Sequence, residues 1–306
     1  MKKIYFMLLA CLWPWVTMAA TPGDVLVSVQ ALAKDLQDIR TKVGGKANSQ
    51  KELPVMGASP REVFYQAENL EAKVVDLVKQ RANQEGRPLL LIPKGKITPD
   101  HVLAVMESAR TILGKGKQAM GAGSPVVKSA AGKASPTDVY RSLIQANRQI
   151  NLLLTTKIIP SDVYQRVEQS VQIAQVLNTV YGGSVELSLP PLDLKKGPGH
   201  VYDQMVICFR LIREILLLTK VKTMDLAADY KAAPGTSPGD VFDLASLLYS
   251  EMAHLYFALP NRPLTAGVFY VGKKKPGHVY QLAKGFETQL RQLKVHVTKN
   301  PAKLTH

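Results

Sequence analysis

The sequence predicts an all-α protein, a tandem helical repeat of eight amphipathic helices joined by long Pro/Gly/Lys-rich linkers. Three observations predict it. A short word, Pro-x-(Asp/Glu/His)-Val, recurs eight times. Its proline-to-proline intervals are 38, 39, 37, 24, 38, 40 and 38 residues. Apolar residues then follow each word at helical spacing, and self-similarity at such a period marks a repeat architecture.

The words are Thr21-Pro22-Gly23-Asp24-Val25, Ser59-Pro60-Arg61-Glu62-Val63, Thr98-Pro99-Asp100-His101-Val102 and Ser135-Pro136-Thr137-Asp138-Val139. The second four are Ile159-Pro160-Ser161-Asp162-Val163, Gly197-Pro198-Gly199-His200-Val201, Ser237-Pro238-Gly239-Asp240-Val241 and Lys275-Pro276-Gly277-His278-Val279. Each reads as a helix start. A Ser, Thr or Gly at the N-cap serves the orphan amides, proline at the first helical position has no amide to leave unpaired, and an acidic third residue completes a capping box. Ile159 and Lys275 break the cap pattern, so helices five and eight are expected to start less sharply.

Counted from the valine, offsets 0, 1, 4, 7, 11 and 14 are apolar. The second unit supplies Val63, Phe64, Ala67, Leu70, Val74 and Leu77, and the sixth Val201, Tyr202, Met205, Cys208, Ile212 and Ile215. Such a stripe must be buried against other helices. The recurring aromatic at offset 1 (Phe64, Tyr140, Tyr164, Tyr202, Phe242, Tyr280) reads as a packing layer. Cys208 lies within the stripe and reads as a buried hydrophobe rather than a reactive thiol.

Linkers of about 16 to 19 residues are long enough to return along a 20-residue helix, so successive helices are expected to run parallel. The 24-residue interval leaves only a tight turn and predicts an antiparallel hairpin of helices four and five. It divides the array into repeats 1–4 (residues 21–157) and repeats 5–8 (residues 158–306), as two four-helix groups or one superhelix.

Residues 1–20 have a basic start (Lys2, Lys3), an apolar run from Ile4 to Val16 and small residues at Ala19 and Ala20. That order is the signature of a secretory signal peptide, which makes the chain exported, periplasmic or secreted. Lipoprotein processing at Cys11 is the lesser alternative. Lys and Arg number 39 against 24 Asp and Glu, a net charge of +15, which favours anionic partners. A protein of the cell envelope, anionic lipid headgroups and glycans are the expected classes, and nucleic acid is not.

Chemistry has few places to reside. A nucleophile elbow, a phosphate loop and a zincin motif are all missing. The third residues of the words (Asp24, Glu62, His101, Asp138, Asp162, His200, Asp240, His278) form a ligand-like ring only if the helices share an end, and capping explains the acids without a metal. Glu251 and His254 make a lone (i, i+3) pair, which lacks the partner carboxylates of a di-metal bundle. Lys195 and Lys196 ahead of His200, and Lys273, Lys274 and Lys275 ahead of His278, place cations at helix N-termini, where they oppose the dipole unless an anion lies among them. The expected function is therefore an exported, non-enzymatic helical scaffold with a basic surface and no cofactor. An anionic-ligand or polyanion-binding sensor is the alternative, and a metal-dependent enzyme a third.

Overall fold

The structure is a computed structural model, and it describes residues 19–89, 93, 95–183, 186–227, 229–259 and 272–301. The expected leader up to Met18 and Cys11 lie outside the described residues. Eight helices follow the eight words: α1 (Pro22–Val43), α2 (Pro60–Ala82), α3 (Pro99–Ala119), α4 (Pro136–Leu153), α5 (Pro160–Val180), α6 (Pro198–Leu218), α7 (Pro238–Phe257) and α8 (Pro276–Lys299). The fold is all-α.

Every helix begins at its proline. In all eight, the N-cap N–H donates to the third residue's side chain, at 2.8 Å in Thr21 to Asp24, 2.9 Å in Ser59 to Glu62 and 2.7 Å in Ser237 to Asp240. The histidines do the same through Nδ1, at 3.0 Å for His101, 3.2 Å for His200 and 3.1 Å for His278. An acceptor Nδ1 fixes the neutral tautomer with its proton on Nε2. Ile159 still donates to Asp162 at 2.8 Å and Lys275 to His278, so the expectation of blurred starts at α5 and α8 fails. The backbone half of the capping box and the proline suffice, although Ile and Lys cannot supply the other half. At the other end of α1, Gly44 closes the helix in the left-handed region at φ 72°, where glycine meets no steric penalty.

The helices pack as two four-helix groups. Round the first ring the order is α1, α3, α2, α4; round the second it is α5, α7, α6, α8. All four helices of a ring run parallel. Pro22, Pro60, Pro99 and Pro136 with their valines line one apolar cavity of about 10 Å³, and Pro160, Pro198, Pro238 and Pro276 with theirs line another. The long linkers thus return the chain to the same end each time. An exposed Leu or Val on the inward stripe would be intolerable: Val25, Leu32, Leu36, Leu70, Leu77, Met205, Phe209 and Phe286 are all buried.

A pinwheel closes each N-terminal end, because the segment before one helix crosses the second residue of the next helix round the ring. Ala20 N–H donates to Asp100 of α3 at 2.8 Å, Ala58 N–H to Thr137 of α4 at 3.1 Å and Lys274 N–H to Ser161 of α5 at 2.9 Å. At Gly23 the crossing chain is so close that a Cβ would lie 2.0 Å from the Gly132 carbonyl, and at Gly277 one would lie 2.3 Å from that of Asp193. Gly239 instead faces the side chain of Asn151, on α4 of the other bundle. Glycine in the second place of the word is thereby explained by backbone crossing at Gly23 and Gly277.

The two rings lie side by side, antiparallel, with α7 against α2 and α4. Arg61 at the start of α2 meets Glu251 late in α7, while Lys73 further along α2 meets Asp243 early in α7. The expected α4–α5 hairpin is corrected here. The two helices run in opposite directions, but they belong to different rings and are not a packing pair; the short turn passes the chain from one bundle to the other. A two-residue ladder, Val55–Met56 with Asp225–Leu226, adds an antiparallel stitch between the linkers of the two halves.

Candidate functional site

Three groups of polar residues merit comparison: the word acids and histidines, the basic helix starts, and a buried network between the bundles. The first group divides. Asp24, Glu62, His101 and Asp138 cap one end, and Asp162, His200, Asp240 and His278 the other. Each is engaged with its own N-cap amide, and among the described residues no cluster of three or more His, Cys, Asp or Glu is placed to hold a metal. Thr21 bonds hold Asp24 below the ordinary carboxylate range, and Ser135 bonds do the same for Asp138. Replacing His278 with Ala is expected to cost about 1 kcal/mol in urea unfolding, as for a lost cap, and His278→Asp to restore it.

The basic starts fall on neighbouring corners of the second ring. Lys196 lies 5.1 Å from the ring centroid of Tyr280 on α8, and 3.7 Å from Asp193. Lys274 lies 4.5 Å from the ring centroid of Tyr164 on α5. These are equivalent contacts: each lysine stands two residues before a helix proline and covers the offset-1 aromatic of the next helix round. A cation over an aromatic face is attracted by the ring quadrupole, which supplies a stabilising role for lysines that oppose their own helix dipole. Lys195, Lys273 and Lys275 are exposed, as is His200, and His278 is half-buried. Tyr140, Phe64 and Tyr202 of the aromatic set are buried in the packing layer.

Sequence reasoning missed the third group. Asp243 of α7 accepts from Lys73 and from Asn69 at 2.6 Å on one oxygen, and from Asn151 at 3.0 Å on the other. Lys73 is 4% exposed and Asp243 5%, so the pair lies out of water. Arg61 reaches Glu251 at 2.7 Å, with Glu62 at 3.5 Å, and Glu62 accepts the Met224 N–H at 2.9 Å. Beside them Arg148 and Asp240 approach to 4.0 Å, next to a cavity of about 20 Å³, the space of one water. The signal was present in α7, which is apolar nearly all round and hence belongs inside a larger assembly, yet carries Asp243 and Glu251.

Burial pushes the Glu251 carboxyl up to about 8, against the pull of Arg61. Burial, with Arg61 adding repulsion, lowers His254 to about 4. The signs oppose. A raised Glu is a neutral group in the fold, so its contribution is complete below its unfolded value near 4.5 and is lost as pH rises through 8. A lowered His contributes above its unfolded value near 6.5 and loses that contribution as pH falls through 4. Between about pH 4.5 and 6.5 the two contributions change in opposite senses and offset, so thermal stability is expected to fall mainly from about pH 6.5 to 8, where only the glutamate still titrates, and Glu251→Gln to remove that fall.

Compared with known proteins, the chain matches no family model, no curated protein and no solved structure. Among the described residues no helix is long and apolar enough to cross a membrane. Cys208 is buried, and burial raises its thiol to about 12, which fits a packing residue.

Proposed function

We propose that the chain is an exported, non-enzymatic helical scaffold that presents a basic surface to an anionic protein partner in the cell envelope. One observation carries this: folding hides acids in preference to bases. Among the described residues, Asp35, Glu62, Glu71, Asp240, Asp243, Glu251 and Glu287 are buried, against Lys73, Lys117 and Arg148. The surface is thus more cationic than the +15 of the whole sequence suggests in proportion to its charge count, and such a field speeds encounter with anionic surfaces. Rigid bundles with closed ends suit presentation of an outer face, as repeat arrays commonly act through extended surfaces. The basic leader and apolar run support export.

Affinity capture of the full chain from its own cells, followed by identification of the retained proteins, tests this. A dominant envelope partner with an acidic surface, released by salt, is expected; capture of nothing beyond background contradicts it. Changing Lys195, Lys196, Lys273 and Lys274 to Glu is expected to abolish retention on an anionic matrix. Unchanged retention would remove the basic helix starts from the interface.

A further inference from the structure

The two bundles are built alike, and the way they dock assigns a second docking face. Counting from each valine, α2 corresponds to α6, α4 to α8 and α3 to α7. The linkers agree: Arg141 of α4 and Gln281 of α8, both at offset 2, donate to linker carbonyls of Val55 and Pro190 at 2.7 and 2.6 Å. Gln149 and Gln289, both at offset 10, donate to those of Lys46 and Glu186 at 3.1 and 2.5 Å. Within the first bundle the α2/α4 face is covered by α7. Its equivalent in the second bundle is the α6/α8 face, and among the described residues no element covers it.

That face has changed chemistry. Asn69 and Lys73, which receive Asp243, are replaced at the same offsets by Ile207 and Leu211. Ile207 is 37% exposed and Val295 53%. Leu211 and Val295 border an open groove of about 370 Å³, whose other walls are Arg291, Lys294, Thr298 and Lys299. Glu287 and Glu214 pair with Arg291 and Lys294 at 2.7 Å each, and Lys284 also reaches Glu287. Burial would raise Glu287, but Lys284, Arg291 and Gln204 outweigh it and hold it near 2. Four cations against two acids leave the rim positive.

We infer that the α6/α8 groove docks one amphipathic helix of another protein, lying as α7 lies on α2 and α4. Its apolar stripe rests on Ile207 and Val295, with the buried Leu211 at the floor of the groove, and its acids face Arg291, Lys294 and Lys299. A second copy of this chain does not fit. The helix equivalent to α7 is α3, whose residues at the offsets of Asp243, Leu247 and Glu251 are Ala104, Ser108 and Ile112, with no acid among them, and two chains of net charge +15 repel. The inference rests on the scaffold reading above and names the surface that reading leaves open.

A photo-crosslinking amino acid placed at Ile207 or Val295 of the full chain, in its own cells, tests it. The expected result is an adduct at both positions, with the crosslinked segment an acidic amphipathic helix. R291E/K294E should lower the adduct at Val295 by about tenfold, the equivalent of 1.4 kcal/mol, while helical circular dichroism is unchanged. Adducts to a second copy or to lipid, or adducts insensitive to R291E/K294E, overturn it. Adducts at Lys195 or Lys273 with none at Ile207 or Val295 also overturn it, but leave the scaffold reading standing. An absence of adducts at all four positions sinks both.

Discussion

Asp243→Ala is expected to destabilise the protein by about 3–5 kcal/mol, the cost of removing one partner from a buried ion pair. The reason lies in what is left behind. Lys73 is 4% exposed, and without Asp243 its ammonium has no anion in contact, while the Asn69 and Asn151 amides lose their acceptor as well. Burial already lowers the Lys73 pKa despite Asp243, so the lysine is expected to shed its proton in the variant. Replacing both members, as in K73M/D243L, should return the part of the loss that comes from the stranded ammonium, while the part from the Asn69 and Asn151 amides, which still lack their acceptor, remains. Chemical denaturation of the three variants measures this. A loss under 1 kcal/mol for Asp243→Ala would mean that the two bundles do not meet through α2 and α7.

Gly23→Ala is the second large effect. Its new methyl would stand 2.0 Å from the Gly132 carbonyl oxygen, a backbone atom that cannot rotate aside. Overpacking of this kind costs about 1–3 kcal/mol. Gly277→Ala should match it, since the Asp193 carbonyl would be 2.3 Å away. Gly199 provides the internal control, because it stands at the same position of its word but its nearest new neighbour is Ala232 Cβ at 3.7 Å. Gly199→Ala is therefore expected to be neutral, or stabilising by up to about 1 kcal/mol through helix propensity. Equal losses at all three positions would contradict the pinwheel. Thermal unfolding monitored by circular dichroism distinguishes these outcomes.

The helices were legible because their signals are local. Proline, the third-place acceptor and the apolar stripe act within one or two turns, and each word therefore marks its own start. Parallel packing was also readable, from linker length alone. What the sequence concealed is set by pairing at long range. Nothing near Asp243 says that Lys73, some 170 residues earlier, will supply its counter-charge. The ring order was equally hidden, for one amphipathic stripe fits several neighbours. The short α4–α5 interval misled for a related reason: a tight turn fixes direction, but which helices pack is decided by the remaining stripes. The histidines were legible as caps only by analogy with the acids, and the contact of Nδ1 with the N-cap amide supplies the physical ground. The lysine-over-tyrosine contacts at Lys196 and Lys274 join different repeats, so no single repeat discloses them.

The central claim is that four helix N-termini meet at one end of each bundle. Spin labels at Lys79 and Lys115, both exposed near the C-terminal ends of the adjacent helices α2 and α3, test it most directly, with Cys208 buried and out of reach of the label. A parallel pair places the labels about 10 to 20 Å apart, set by the interhelical spacing plus the label arms. An up-down bundle would instead separate them by about 30 Å, the length of a 20-residue helix, and a distance in that range would contradict the architecture.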